Sequence, residues 1–248
     1  MISMGCIKNL LAVITVTLVS SVSYTQVTSG RIVFERKTNL QKKFAGDERM
    51  KRFINKDTKS KVEKFELIFN DTMSAFIPIV SDVEDEGGWM SRYLTSQNHV
   101  YMDLSSNEKL TILDFGGEDT YIKDPIEKKE WKVTESKRNI GSYDCRKAIW
   151  HMNDSTRIYA WFSVDIVPSI GPEGFGGLPG AILGLATEDG GVIYFAKEVT
   201  IEKPDPIKLV REIGKNDVYT KAELRESLEK NMSQWVKPKD LDAMFSWL

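Results

Sequence analysis

The sequence predicts a mainly β (α+β) fold, a wide curved antiparallel sheet or half-barrel with C-terminal helices packed against it. Three observations lead to this prediction. Short segments that alternate apolar and polar residues recur along most of the chain, as half-buried strands require. Residues typical of tight turns separate these segments. Helical spacing of apolar residues appears only near the C-terminus, so strands joined by crossover helices are not expected.

The predicted strands begin shortly after position 26. From Arg31 to Arg36 the chain alternates Ile32 and Phe34 with mostly polar neighbours, which predicts one buried strand face. The Asp-Gly-Gly sequence at 189–191 is a strong hairpin signal, and short connections of this kind favour an antiparallel meander. The other strand patterns span 62–70, 74–80, 98–103, 109–115, 120–123, 143–152, 159–167, 181–187 and 192–201.

The segment 220–248 is predicted to be helical. Thr220 and Glu223 have the spacing of a capping box, which opens a helix. Pro238 ends this helix, and a second short one follows. The two apolar stripes consist of Leu224, Leu228, Met232 and Trp235 in the first helix and Leu241, Met244, Phe245 and Leu248 in the second. Either the stripes cover the sheet, or the apolar C-terminal tip docks a partner.

Residues 1–25 have the pattern of a signal peptide. Lys8 provides the positive charge, the apolar run covers 10–19, and cleavage is expected near Thr25-Gln26. A run of about ten apolar residues is too short to span a bilayer, which needs about 20. We therefore expect an exported protein, periplasmic, outer-membrane associated or extracellular, without a transmembrane segment in the mature chain.

The remaining residues, 26–248, are expected to form a single β-rich domain that ends in the helical segment. The formal net charge of −2 gives no reason to expect nucleic-acid binding. Cys145 is the one cysteine outside the predicted signal peptide, so an internal disulfide is not expected. We interpret Cys145 as a small buried apolar side chain.

The loop at 168–180 has the most unusual composition, because glycine and proline supply most of it. Such a loop cannot be helical, and we expect a stiff, outward-facing surface loop between two buried strands. Within it, Leu178, Pro179, Gly180 and Ala181 fit a type II turn, which requires a positive φ at Gly180.

The same stretch carries a family resemblance. Residues 177–183 read GLPGAIL and follow Trp161-Phe162 and the loop glycines. This run resembles the signature of the GLPGLI family of secreted Bacteroidetes proteins, and the sequence from Cys145 to Ala148 is similar to a weaker family feature. Ala181 and Gly184 depart from the family pattern. The resemblance covers about 143–199, and it implies an accessory partner of TonB-dependent outer-membrane transporters.

Catalytic, cofactor and metal sites are not predicted. The chain contains no G-x-S-x-G or H-E-x-x-H motif, and its loop glycines fail the nucleotide-binding patterns. Cys145 and His151 share a predicted strand but would lie about 20 Å apart, too far to ligate one ion. One enzymatic alternative stays open, a hydrolase that uses Asp165 with Glu173, or His99.

The leading hypothesis is a non-enzymatic binding or accessory protein of the cell envelope. Neighbouring strand residues point to opposite faces, so one of Trp161 and Phe162 belongs to the core and the other could line a groove for a peptide or hydrophobic ligand. A periplasmic carrier of lipid or another hydrophobic ligand is the main alternative. The candidate binding residues are Trp161, Phe162, Phe175, Gly177, Leu178, Pro179 and Gly180.

Overall fold

The computed structural model describes residues 26–45, 52, 54, 59–80, 95, 97–115, 118–232, 241 and 245. The predicted signal peptide lies outside these residues. So do Trp235, Met244 and Leu248 of the predicted C-terminal stripes, and the side chain of Met232. None of the helices in the described ranges is both long and apolar enough to cross a membrane.

Within the described ranges, twelve strands form a single sheet. Two short α-helices with described bounds accompany it, α1 (Leu40–Lys43) and α2 (Lys221–Met232). The strands are β1 (Gly30–Asn39), β2 (Ser60–Phe69), β3 (Met73–Pro78), β4 (His99–Asp103), β5 (Glu108–Phe115), β6 (Glu118–Pro125), β7 (Lys132–Ile140), β8 (Tyr143–His151), β9 (Arg157–Ser163), β10 (Ala181–Thr187), β11 (Val192–Thr200) and β12 (Val218–Tyr219).

The sheet is open, and its strand order is β12-β6-β5-β4-β3-β2-β1-β11-β10-β9-β8-β7. The short β12 pairs with β6 in parallel, whereas the other pairs are antiparallel. Strands β1 to β6 form one meander and β7 to β11 form another, and the pairing of β1 with β11 joins them. The prediction of a mainly β, mostly antiparallel fold is confirmed.

The local patterns explain why these strands form. Along β1, buried and partly buried residues alternate, with Ile32 and Phe34 fully buried as predicted. The hairpin between β10 and β11 turns at Gly190, where φ is 68°. The Asp189 carboxylate accepts a hydrogen bond of 2.8 Å from the Gly191 backbone N–H and so closes the turn.

One long strand was missed by the sequence prediction. Strand β7 lies at the edge of the sheet, and Ile140 is its one buried residue. An edge strand exposed on both faces has no alternating apolar pattern, so its period-two signal is absent. Its pairing with β8 is also irregular between Val133 and Lys137, as is common for protected sheet edges.

The described part of the C-terminal segment contains one short helix, α2, at the β6 end of the sheet. Its capping box forms as predicted: Thr220 N–H donates to Glu223 Oε2 at 2.7 Å, and Glu223 N–H donates to Thr220 Oγ1 at 3.2 Å. The buried cluster that joins helix and sheet contains Leu113, Ile122, Leu224, Leu228, Leu241 and Phe245. This packing agrees with the sheet-covering interpretation of the apolar stripes.

Candidate functional site

The loop at 168–180 is mostly buried, so the expectation of an outward-facing surface loop is wrong for most of its length. Gly177 and Pro179 are its exposed residues. The apolar side chains of Ile170, Phe175 and Leu178 belong to the main core, which explains why the loop turns inward. Transfer of such side chains from water to the core outweighs the preference of loops for the surface.

The turn at Gly180 also differs in detail from the prediction. The positive φ is confirmed, at 134°. The Gly180 N–H donates to the Leu178 carbonyl at 2.8 Å, and the Ala181 N–H donates to the Ile166 carbonyl at 2.9 Å. The expected type II hydrogen bond, from Ala181 to Leu178, is replaced by a tighter turn centred on Pro179. A Cβ at Gly180 would lie 2.0 Å from the Ser163 carbonyl oxygen, so the glycine permits a close backbone approach.

The loop contacts strands that are far apart in the sheet. A Cβ at Gly174 would lie 2.9 Å from Val100 on β4, whereas the neighbouring Phe175 ring lies 6.1 Å from the Trp150 ring on β8. Seven strand spacings separate β4 from β8, which is about 34 Å in a flat sheet. The sheet therefore bends around the loop.

The rim of the loop is held by residues that precede β7. Trp131 Nε1 donates to the Gly176 carbonyl at 2.9 Å. The Lys129 ammonium lies 4.8 Å from the centre of the Trp150 ring and 5.2 Å from that of Phe175. These contacts use the aromatic surface of Phe175 inside the protein, so Phe175 does not offer an open ring face to a ligand.

The loop delivers Glu173 into a buried charged group, which we call the inner cluster and define as Arg36, Glu63, Glu173 and Tyr194. Glu173 is 4% exposed, and its backbone has φ 54°, an uncommon conformation for a residue other than glycine. Its Oε1 accepts hydrogen bonds from the Tyr194 hydroxyl and, at 3.4 Å, from Arg36 Nη1. Arg36 also donates to Glu63 Oε2, at 2.7 Å from Nη2 and 3.1 Å from Nε.

The two carboxylates of the inner cluster have opposite electrostatic environments. Burial raises the pKa of Glu63, but Arg36 and the hydrogen bonds donated by Thr95 and Gln97 outweigh it and lower the pKa to about 2. Burial raises the pKa of Glu173 above its ordinary value, because Arg36 and Tyr194 offset it incompletely. Among the described residues, Glu173 Oε2 is buried without a hydrogen-bond partner.

The sequence prediction missed Arg36 and Glu63, although a signal was present. Arg36 lies on the same face of β1 as the buried Ile32 and Phe34. Glu63 lies on the same face of β2 as the buried phenylalanine and leucine residues that follow it at every second position. Arg36 is the direct ladder partner of both Glu63 and Tyr194. Charged residues at core-facing positions of two strands predict a buried ion pair.

The opposite face of the sheet carries a second group, which we call the outer patch and define as Arg138, Lys147, Tyr159 and Trp161. Phe162 is 1% exposed in the core, whereas the half-buried Trp161 lies on the other face. Arg138 Cζ lies 4.5 Å from the centre of the Trp161 ring, and Lys147 Nζ lies 3.7 Å from that of Tyr159. Of the predicted binding residues, Trp161, Gly177 and Pro179 therefore reach the surface, whereas Phe162, Phe175, Leu178 and Gly180 are buried.

Asp165 and Glu173, which were considered for catalysis, lie in different environments. Asp165 is exposed and accepts a hydrogen bond from Ser163 at 3.2 Å, whereas Glu173 faces the inner cluster. Cys145 is buried, and burial raises the pKa of its thiol to about 12, so the thiolate is disfavoured. In the ranges that the structure describes, no three His, Cys, Asp or Glu side chains converge as a metal site.

No family model and no curated protein matches this chain. Its fold is similar to that of PNGF-II, solved in two space groups, with 16% sequence identity and a TM-score of 0.51 over 78% of this chain and 31% of PNGF-II. It is also similar to an uncharacterized conserved protein from Thermus thermophilus, with 7% identity and a TM-score of 0.41 over 78% of this chain and 91% of that one. The chain spans about a third of the length of PNGF-II, and at this identity the similarity concerns the fold alone.

Proposed function

We propose that this chain is an exported, non-enzymatic binding or accessory protein of the cell envelope, whose contact surface is the outer patch. The observation that carries the proposal is the position of Trp161. Phe162 and Phe175 are used by the core, whereas Trp161 lies on the outer face of the sheet. A Cβ at Gly184 would lie 3.3 Å from the Trp161 ring and 3.2 Å from Ile140, so the indole packs closely against Gly184 and Ile140. Rigid aromatic side chains of this kind are favoured at protein interfaces.

The proposed partner is an outer-membrane protein. The resemblance of residues 177–183 to the GLPGLI signature implies an accessory partner of a TonB-dependent transporter in a Bacteroidetes envelope. In this proposal the loop at 168–180 does not contact the partner. It fills the concave side of a half-barrel and so stiffens the strands that present Trp161 on the outer side.

The packing of the interior supports a binding surface over a lipid carrier. Phe65 stacks on Phe76 with ring centres 4.9 Å apart, and Tyr194 meets the Phe76 ring edge-on at 6.1 Å. A carrier needs a cavity that can hold a ligand, whereas side chains of this chain occupy the described centre of the curved sheet. A hydrolase is less well supported, since Asp165 and Glu173 lie in different environments.

Affinity capture from native outer membranes tests the proposal. The bait is the full-length chain, compared with Trp161→Ala and with Ile207→Ala, which truncates an apolar side chain that is 78% exposed elsewhere on the surface. We expect the wild type and Ile207→Ala to recover the same outer-membrane protein and Trp161→Ala to lose it. Circular dichroism verifies that each variant is folded. Equal recovery by all three baits, or no recovery by any, would contradict the proposal.

A further inference from the structure

We infer that the outer patch binds an acidic segment of a protein partner, with Arg138 and Lys147 receiving its carboxylates. The inference rests on the proposed function and deepens it, because it names the chemistry that the binding surface recognises. It depends on three observations: the two cations of the patch lie against aromatic rings, neither forms an ion pair with a described carboxylate, and Arg36 forms a comparable arrangement inside the protein.

The cations of the outer patch come from neighbouring strands and are held by the same ring. Lys147 on β8 is the ladder partner of Trp161 on β9, so their side chains share a face. Lys147 Nζ lies 5.7 Å from the Trp161 ring centre, and Arg138 Cζ lies 4.5 Å from it. An arginine stacked on a ring keeps its N–H groups at the edge of the guanidinium plane, where they can bind a carboxylate with two parallel hydrogen bonds.

These cations have no carboxylate of their own in the part of the chain that the structure describes. Neither Arg138 nor Lys147 forms an ion pair there. Glu188 lies beside the patch, but it accepts hydrogen bonds from Tyr159 at 2.7 Å and from Arg157 at 2.8 Å. Two positive groups are therefore concentrated over Tyr159 and Trp161, and this positive charge complements an acidic partner.

Inside the protein, Arg36 also stacks on an aromatic ring, and there the chain's own carboxylates pair with it. Its Cζ lies 4.6 Å from the centre of the Phe65 ring, close to the 4.5 Å that separates Arg138 from Trp161. In the core, Glu63 and Glu173 supply the carboxylates. At the outer patch the aromatic rings and the cations are present, no described carboxylate pairs with these cations, and in this inference the partner supplies the carboxylates.

A matched pair of double variants tests the inference. Arg138→Gln with Lys147→Gln removes one cation from β7 and one from β8 on the outer face. Lys137→Gln with Arg146→Gln removes the same charge from the adjacent positions of the same strands. Lys137 and Arg146 are ladder partners, and Arg146 pairs with the core residue Phe162, so this pair belongs to the opposite face.

The probe is a fluorescently labelled hexaglutamate peptide, and its binding to the full-length chain is followed by fluorescence anisotropy. We expect the outer-face double variant to weaken binding by about tenfold or more, as expected for lost charge-assisted hydrogen bonds, and the opposite-face variant to change it by less than about twofold. Binding should weaken as salt is added, and hexaglutamine should not compete.

Three outcomes would overturn the inference. An equal loss of peptide affinity in both double variants would show that binding depends on net charge and not on the outer patch. If the wild-type chain does not bind the hexaglutamate peptide, an acidic ligand is ruled out. Binding to phosphatidylglycerol vesicles without peptide binding would assign the patch to a lipid surface. The proposed function fails separately: if Trp161→Ala still recovers the captured membrane protein, the contact surface is wrong, whatever the peptide does.

Discussion

The inner cluster and the outer patch are built from the same unit, an arginine on an aromatic ring, but they balance its positive charge differently. Arg36 is 5% exposed and is paired with two carboxylates of the chain. Arg138 is exposed and has no carboxylate partner among the described residues. Water can solvate Arg138, whereas a buried guanidinium without a partner would be strongly destabilising.

The comparison separates structural charge from charge that is available for binding. In the inner cluster, strands β1, β2 and β11 and the loop each contribute one member, so its ion pairs connect distant parts of the chain. In the outer patch, the rings orient the cations without neutralising them. Substitutions should therefore change the free energy of unfolding at the inner cluster and affinity at the outer patch.

The largest effect is expected for Glu63→Gln, which leaves Arg36 without its closest carboxylate. We expect a loss of about 3 kcal/mol in the free energy of unfolding at pH 7, measured with urea. The pKa of Glu63 is lowered to about 2 in the folded protein, so its contribution is complete above about pH 4.5 and disappears as the pH falls towards 2. The variant and the wild type should therefore converge in acid.

Glu66→Gln is the control for Glu63→Gln. Glu66 lies on the same strand and pairs with the part-exposed Arg31. A surface ion pair contributes less than about 1 kcal/mol. A similar loss in both variants would show that burial does not distinguish the two pairs.

The next largest effect is expected at Gly180, because its turn fixes the loop that delivers Glu173. Gly180→Ala places a Cβ 2.0 Å from the Ser163 carbonyl oxygen at a φ of 134°. We expect a loss of about 2 kcal/mol in the free energy of unfolding, from strain and overpacking together.

Gly190→Ala is the control for the turn. Gly190 also has a positive φ, but no atom would lie within 4 Å of its Cβ. The expected cost is about 1 kcal/mol, from the backbone conformation alone. Equal melting temperatures for the two alanine variants would show that the close contact between residue 180 and the Ser163 carbonyl adds nothing to the cost of the substitution.

A smaller, pH-dependent effect is expected for Glu173→Gln, which keeps the side-chain shape and removes its titration. The pKa of Glu173 is raised by burial, so its favourable contribution is complete below about pH 4.5 and declines as the pH rises towards the folded-state pKa. The stability of the wild type relative to the variant should fall by up to about 1.4 kcal/mol per pH unit in that range. Urea unfolding between pH 4 and 8 measures this difference. If the free energies of unfolding of the wild type and the variant change in parallel with pH, the pKa of Glu173 is not raised.

The smallest effect on stability is expected for Arg138→Gln. Loss of an exposed cation–π contact should lower the free energy of unfolding by less than about 1 kcal/mol. Urea unfolding at pH 7 measures this change beside that of Glu63→Gln. A loss as large as that of Glu63→Gln would show that the outer patch, like the inner cluster, has a structural role.

Most strands and the helix cap could be predicted because their signals are local. Ile32 and Phe34 follow the period of a strand, and Thr220 and Glu223 follow the spacing of a cap. Strand β7 could not be predicted in this way, since an edge strand exposed on both faces has no apolar period. Of the proposed site, Trp161 was predicted, whereas Arg138 and Lys147 were not, because nothing local distinguishes them from other surface cations.

The sequence alone determined most of the extended segments, though not β7, as well as the position of the 189–191 turn and the positive φ of Gly180, because each depends on a few neighbouring residues. The tertiary structure decided that the loop at 168–180 turns inward, because its burial depends on the apolar surface that distant strands offer to Phe175 and Leu178. It also decided the pairing of Arg36 with Glu173, since 137 positions separate them and the inward turn of the loop places Glu173 against β1.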